Sequence, residues 1–150
     1  MVGTKADFFK DMGYVPSPGQ QEFHNSSARF KVFAAGSRFG KSMMAGAEVA
    51  YEFLRPNHRI WIIGTQYDLA EKEFNWALQF LARVKLPNGR NILDMCKIIN
   101  RQLGPKRIES SWGSSICTKS SEKLTSLLGE EIDMAVLSEA SQHSTISWER

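Results

Sequence analysis

The chain has 150 residues, of which 42% are hydrophobic and 23% charged, with 19 lysines and arginines against 16 aspartates and glutamates. This length and composition predict one globular domain with a hydrophobic core and argue against a disordered chain. No apolar run is long enough for a transmembrane helix, the first residues lack the apolar core of a signal peptide, and the two cysteines stand apart. We therefore expect no membrane span, no secretion, no disulfide framework and no structural zinc site.

The first half of the chain predicts a strand, a helix and a second strand. Residues 13–20 are rich in Gly, Pro and Ser and are typical of a loop. Residues 30–35 (FKVFAA) form a short apolar run that predicts a buried strand. Apolar side chains recur at helical spacing over residues 42–54, which predicts an amphipathic helix. Residues 59–63 (RIWII) predict a second buried strand.

The second half predicts a long helix followed by shorter strands. The helix is expected over residues 68–84, where Asp68 and Glu71 have the spacing of a capping box. Residues 107–112 and 114–118, joined at Gly113, predict a β-hairpin within a region of mixed signal. Residues 134–137 (MAVL) predict a short buried strand. Alternating strands and helices indicate an α/β fold around a mainly parallel sheet.

The strongest motif is AGSRFGKS at residues 35–42, which matches the phosphate-binding loop pattern G-x-x-x-x-G-K-[ST] except that Ala35 replaces the first Gly. Small residues let backbone N–H groups surround phosphate oxygens, and the start of a helix adds partial positive charge. Lys41 is expected to reach the β- and γ-phosphates, and the Ser42 hydroxyl to bind Mg²⁺. The residues predicted to contact the nucleotide in this loop are Gly36, Ser37, Arg38, Phe39, Gly40, Lys41 and Ser42.

The MAVL strand ends in Ser138 and Glu139, where a Walker B strand ends in two acidic residues. Glu139 is the predicted catalytic residue that orients and polarises the attacking water. The position before it holds a serine, so Ser138 is expected to hold a metal ion through water. Asp133 lies at the opposite end of the strand, about 16 Å away at roughly 3.3 Å per residue, and cannot easily take over this role.

Basic residues are concentrated between residues 83 and 107, where seven lysines and arginines meet one aspartate. Such a stretch can face nucleic acid, and it can equally be an ordinary solvated surface. We predict that it faces DNA. Its basic members are Arg83, Lys85, Arg90, Lys97, Arg101, Lys106 and Arg107.

These segments together resemble the ATPase domain of the large terminase subunit, the motor that packages double-stranded DNA in tailed phages. The resemblance lies in GYVPSPGQQEFH, AAGSRFGKS, RIWIIGTQYDLAE and SSEKLTSLLGEEIDMAVLSEAS. It implies a P-loop NTPase of the RecA/ASCE-like class that hydrolyses ATP with Mg²⁺. The implied partners are double-stranded DNA, the portal protein and the small terminase subunit, with a ring homo-oligomer, no membrane contact, and a place in the host cytoplasm and transiently at the procapsid portal.

The resemblance also implies roles for individual side chains. A Gln before the phosphate loop reads adenine in that family, and Gln20 stands at the matching place, with Gln21 as the neighbouring alternative. An Arg inside the loop is a family habit that Arg38 follows. It implies that Arg38 senses the γ-phosphate or contacts a neighbouring subunit, and so joins Lys41 and Glu139 among the predicted catalytic residues.

Residues 1–28 are expected to be a lead-in that carries the adenine-binding Gln, and residues 29–150 the core sheet through the Walker B strand. The sequence ends eleven residues after Glu139, so we expect a C-terminally truncated ATPase domain without the family's nuclease domain. Two other functions fit the same motifs: a helicase-like, nucleic-acid-dependent ATPase, and a nucleotide-binding fragment without turnover, which the serine at position 138 and the absent C-terminal half favour.

Overall fold

The computed structural model describes residues 3–143, so the outermost residues of the predicted domain, 1–2 and 144–150, lie outside the described part. The helices are α1 (Lys5–Asp11), α2 (Pro18–Asn25), α3 (Lys41–Phe53) and α4 (Tyr67–Leu81). The strands are β1 (Arg59–Gly64), β2 (Cys96–Ile99), β3 (Arg107–Ser110), β4 (Ser115–Ser120) and β5 (Met134–Leu137). Within residues 3–143 no helix has the length and apolar character needed to cross a membrane.

The five strands form one sheet in the order β2-β3-β4-β1-β5. The central strand β1 pairs in parallel with β4 and β5, whereas β3 runs antiparallel to both β2 and β4. Four of the five strands therefore point the same way, because β2 and β4 are both antiparallel to β3. This confirms the predicted α/β fold with a mainly parallel sheet.

Helices α3 and α4 pack against each other and cover one face of the sheet. Their close approach depends on Gly46, because a Cβ there would lie 2.5 Å from Cβ of Trp76 and 3.1 Å from the backbone oxygen of Glu73. Apolar stripes on both helices meet the inward side chains of the strands, which buries the main core. The most deeply buried large side chains of the two helices and the sheet are Val49, Phe53, Phe74, Phe80, Leu81, Ile60, Ile62, Ile108 and Ile116.

The strand predicted at residues 30–35 is wrong, because this segment is in no ladder of the sheet. Phe30 and Val32 are 83% and 91% exposed. The ring of Phe33 instead packs beside the rings of Phe23 and Phe39, with 5.6 Å between the ring centroids of each pair. An apolar run of this kind reflects only a local preference for extended backbone, whereas a β-ladder also needs a neighbouring strand. In the described structure this segment has no such neighbour.

The other predicted helices and strands are confirmed within a few residues, but the capping box predicted from Asp68 and Glu71 is wrong, because α4 begins at Tyr67 and its cap residue Gln66 makes no side-chain capping hydrogen bond. The hairpin forms from β3 and β4, and Gly113 supplies the turn's positive φ of 85°. Helix α2 begins inside the predicted loop 13–20, because Pro18 suits a first helical position and Oε1 of Gln20 accepts a hydrogen bond from the backbone N–H of Ser17, the residue before the helix. The sequence patterns missed α1 and β2.

Candidate nucleotide-binding site

The phosphate loop lies at the carboxyl edge of the parallel strands. Helix α3 has 13 residues and is followed by β1 after only residues 54–58, so it runs back along the sheet for about 20 Å. Its first residue, Lys41, is therefore level with the end of β1, as are the start of α4 and the end of β5. Ligands of open α/β sheets bind at this edge.

Within the loop, the backbone is bent by residues in the left-handed region. Arg38 has φ 63° and Gly40, which caps α3, has φ 81°. A non-glycine residue in this region costs on the order of 1–3 kcal/mol and is concentrated at functional sites. The exposed residues of the loop are Gly36, Ser37, Arg38 and Phe39, whereas Gly40, Lys41 and Ser42 are partly buried.

Lys41 is folded back onto the loop that it is predicted to serve. Its Nζ donates hydrogen bonds to the carbonyl oxygens of Ala35, at 2.6 Å, and Gly36, at 3.2 Å. The ammonium group is thus already held in the mouth of the loop, where a phosphate oxygen is the natural replacement for a carbonyl oxygen. The geometry brings together the charge and the backbone that the motif predicts.

Gln20 is 3% exposed and its amide is fully engaged with the protein. Nε2 donates to the carbonyl oxygen of Phe39 at 3.0 Å, and Oε1 accepts from the backbone N–H of Ser17 at 2.9 Å. Gln20 therefore ties the start of α2 to the end of the phosphate loop. That Gln20 reads adenine stays a prediction. It would require the Gln20 amide to exchange these hydrogen bonds for hydrogen bonds to the base. Gln21, the alternative, donates to Oδ1 of Asn25 at 2.9 Å on the surface.

A buried polar network that sequence reasoning missed lies behind Gln20. The Tyr14 hydroxyl is 3.4 Å from Oε1 of Gln20 and 2.9 Å from Nε2 of His24. On the other side, Nδ1 of His24 and Nζ of Lys5 both lie 2.5 Å from Oε1 of Glu48 in α3. Burial raises the pKa of Glu48, but the hydrogen bonds from His24 and Lys5 outweigh it and hold the pKa below its ordinary value. The network joins α1, α2 and α3 around the loop.

Ser138, the predicted metal-holding residue, and Glu139, the predicted catalytic residue, directly follow β5. Glu139 is exposed, has φ 49° and begins a short 3₁₀ turn at residues 140–142. Ser138 is buried, and its carbonyl oxygen accepts a hydrogen bond from Nε2 of His143 at 2.9 Å. Because that bond places the His143 proton on Nε2, Nδ1 accepts from the Ser121 hydroxyl at 2.8 Å. His143 thus fixes the turn that carries Glu139, and no sequence motif predicted this role.

An unexpected carboxylate lies beside Ser138. Oε1 of Glu73, in α4, accepts a hydrogen bond from the Ser138 hydroxyl at 3.1 Å. Glu73 is 4% exposed, and its other oxygen, Oε2, is buried without a hydrogen-bond partner in the described structure. The signal was present in the sequence, since residue 73 falls on the apolar stripe of α4 that includes Ala70, Phe74 and Ala77.

The residues at this edge fit a hard cation bound with a nucleotide. Among residues 3–143 no three His, Cys, Asp or Glu side chains cluster as a metal site by themselves. Mg²⁺ needs no such cluster at nucleotide sites, because it keeps waters and uses phosphate oxygens with one or two protein oxygens. The oxygen donors near the loop and the end of β5 are of that kind, and they include the predicted Ser42 and Ser138.

The predicted DNA-facing stretch is not a single surface. Lys106 is only 6% exposed and its Nζ lies 2.8 Å from Oε1 of Glu71, so the prediction that Lys106 faces DNA is wrong. The hydrogen bond from Lys106 also lowers the pKa of the Glu71 carboxyl. Arg83 directly follows α4, and its Nη1 donates to the carbonyl oxygen of Met12 at 3.1 Å, whereas Arg101 follows β2. Spacing along the chain could not show this separation.

The chain is similar to known large terminase subunits. The large subunits of Thermus phage G20c and Thermus virus P23-45 are 29% and 30% identical to it over 154 aligned positions. The alignment covers 94% of this chain and 31% of each relative, so the chain spans about a third of the length of the curated relatives it matches. No family model matches the chain.

The solved structures that the chain resembles are of the same kind. A point mutant of the large terminase ATPase domain from Thermus phage P74-26 superposes with a TM-score of 0.79 at 26% identity. The match covers 96% of this chain and 61% of that domain. The resemblance indicated by the motifs is thus confirmed, and the α/β fold is that of a large terminase ATPase domain.

Proposed function

We propose that this chain is the nucleotide-binding part of a phage DNA-packaging motor, an Mg²⁺-dependent ATPase that drives double-stranded DNA into a procapsid. The observation that carries the proposal is the common edge of the sheet, where the phosphate loop at the start of α3 is level with Ser138 and Glu139 at the end of β5. Similarity to large terminase subunits over 94% of the chain supports the same function.

The proposed partners follow from what a packaging motor must contact. They are double-stranded DNA, a portal protein, a small terminase subunit and further copies of the chain in a ring. The work would take place in the host cytoplasm and at the procapsid portal. The division into a lead-in over residues 1–28 and a core over residues 29–150 stays a prediction.

Each site residue has a separate task in this proposal. The loop backbone and Lys41 bind the phosphates once Nζ of Lys41 exchanges the carbonyl oxygens of Ala35 and Gly36 for phosphate oxygens. Ser42 and the phosphates would hold Mg²⁺, which would supply positive charge against the charge that develops on the transferred phosphoryl group. Glu139 accepts a proton from the attacking water, and its exposure leaves it accessible to that water.

A nucleotide-binding module without turnover is the second candidate, favoured by the serine at position 138 where an acid is expected. The two functions agree on binding and differ on phosphate release. Binding must therefore be measured first, because turnover is uninformative without it.

The binding test is a titration of the protein with a fluorescent ATP analogue, with and without Mg²⁺. Lys41→Ala should abolish binding, because it removes the lysine that the fixed positions of the motif direct at the β- and γ-phosphates. Lys97→Ala is the matched control, since Lys97 is an exposed lysine on β2. Equal affinities for the wild type and Lys41→Ala would refute the phosphate-loop assignment.

A further inference from the structure

Glu73 is a buried carboxylate without a cationic partner among the described residues. It projects from the core-facing side of α4 and is 4% exposed. Burial of an unpaired charge is unfavourable, so a protein keeps one only where something neutralises it. The hydroxyl of Ser138 satisfies one oxygen, and Oε2 remains without a partner.

The position of Glu73 in the fold points to the phosphate loop. The backbone oxygen of Glu73 lies 3.1 Å from where a Cβ of Gly46 would be, so this turn of α4 packs directly on α3. Ser42 precedes Gly46 by four residues and shares its face of the helix, about 6 Å nearer the start of α3. Side chains of α4 lean toward its own start, which is the same edge of the sheet. Glu73 thus contacts Ser138 and lies on the turn of α4 that packs on α3 one helical turn after Ser42.

We propose that Glu73 supplies the acidic oxygen that the end of β5 lacks, and that Oε2 binds Mg²⁺ of the bound nucleotide or one of its waters. This inference rests on the proposed function, since the ion comes with the nucleotide. Ser138 is a positioning residue here, because its hydroxyl fixes the carboxylate through Oε1. In this proposal the acidic group is on helix α4 and not at the end of β5.

The experiment compares affinity for Mn²⁺, measured by electron paramagnetic resonance with a saturating ATP analogue, between the wild type and Glu73→Gln. Glutamine keeps an acceptor for the Ser138 hydroxyl, removes the charge, and replaces the second oxygen with an NH2 group that cannot bind a cation. We expect affinity for Mn²⁺ to fall about tenfold or more, as for other supporting groups of metal sites. Binding of the analogue without metal should change less than about twofold. Glu71→Gln, on the same helix but paired with Lys106, is the control and should leave Mn²⁺ affinity unchanged.

Two further variants make the result decisive. Adding Ser138→Asp to Glu73→Gln returns an acid to the strand end and should restore Mn²⁺ affinity. Ser138→Ala alone, which keeps Glu73, should weaken Mn²⁺ binding and serves as the test if Glu73→Gln does not fold. If Glu73→Gln bound Mn²⁺ as tightly as the wild type, the inference would be overturned. If Glu73→Gln does not fold, wild-type Mn²⁺ affinity of Ser138→Ala would overturn it in the same way. Neither result would affect the binding of ATP that depends on Lys41. A wild type that binds no ATP analogue would overturn the proposed function as well.

Discussion

Gly46 sets the distance between α3 and α4, and Gly46→Ala should destabilise the fold. The added Cβ would lie 2.5 Å from Cβ of Trp76 and 3.1 Å from the backbone nitrogen of Ala77, and neither atom is the free end of a flexible side chain. Overpacking of this kind costs about 1–3 kcal/mol. An approach of 2.5 Å belongs to the upper part of that range, about 2–3 kcal/mol, and the alanine recovers at most about 1 kcal/mol of helix propensity, so the net loss is about 1–2 kcal/mol.

That loss is measurable by thermal unfolding followed by circular dichroism. For a domain of this size it corresponds to a fall in Tm of about 2–8 °C. Ala45→Gly, at the neighbouring half-buried position, is the reference that measures helix propensity alone. If Gly46→Ala raised Tm by the amount that Ala45→Gly lowers it, the close packing of α3 on α4 would be refuted. The placement of Glu73 near Ser42, which depends on that packing, would be refuted as well.

Two other predictions concern groups of the buried network and of the basic stretch. Burial, with the nearby Glu48 charge, raises the pKa of Tyr14 to about 12 from 10.0, so its contribution to stability is full below pH 10 and is lost as pH rises toward 12. Tyr14→Phe should flatten the fall of Tm in that range, and an unchanged slope would contradict the assignment. Lys106→Glu should destabilise the protein at every ionic strength, because it places a second carboxylate beside Glu71 in a buried site. Arg101→Glu should leave Tm within about 1 °C, as expected for an exposed residue; equal effects of the two charge reversals on Tm would contradict the burial of Lys106.

Local periodicity was enough to predict α3, α4, β1, the hairpin and β5, because each of these elements satisfies its own apolar spacing. The segment at residues 30–35 shows where this reasoning stops. Its apolar run has the composition of a strand, yet Val32 is 91% exposed, since a ladder depends on a partner that the local sequence does not specify.

The site was predicted in part for the same reason. The phosphate loop is a continuous motif, so its residues could be named from the sequence, and Ser138 and Glu139 followed from the end of one strand. Glu73 and His143 act on Ser138 from outside that motif, at 65 and 5 residues' separation. The acid on the apolar stripe of α4 was a sequence signal for Glu73, but only the packing of α4 and of the last turn against β5 shows that both residues contact Ser138.

Release of phosphate from Mg-ATP tests most directly whether Glu139 performs hydrolysis at the phosphate loop. The wild type and Glu139→Gln should bind the ATP analogue with the same affinity. Phosphate release, measured with duplex DNA present, should fall by about 10²–10⁴ in Glu139→Gln, as expected for loss of a general base. Undiminished release by Glu139→Gln, or none by the wild type despite tight binding, would contradict the account.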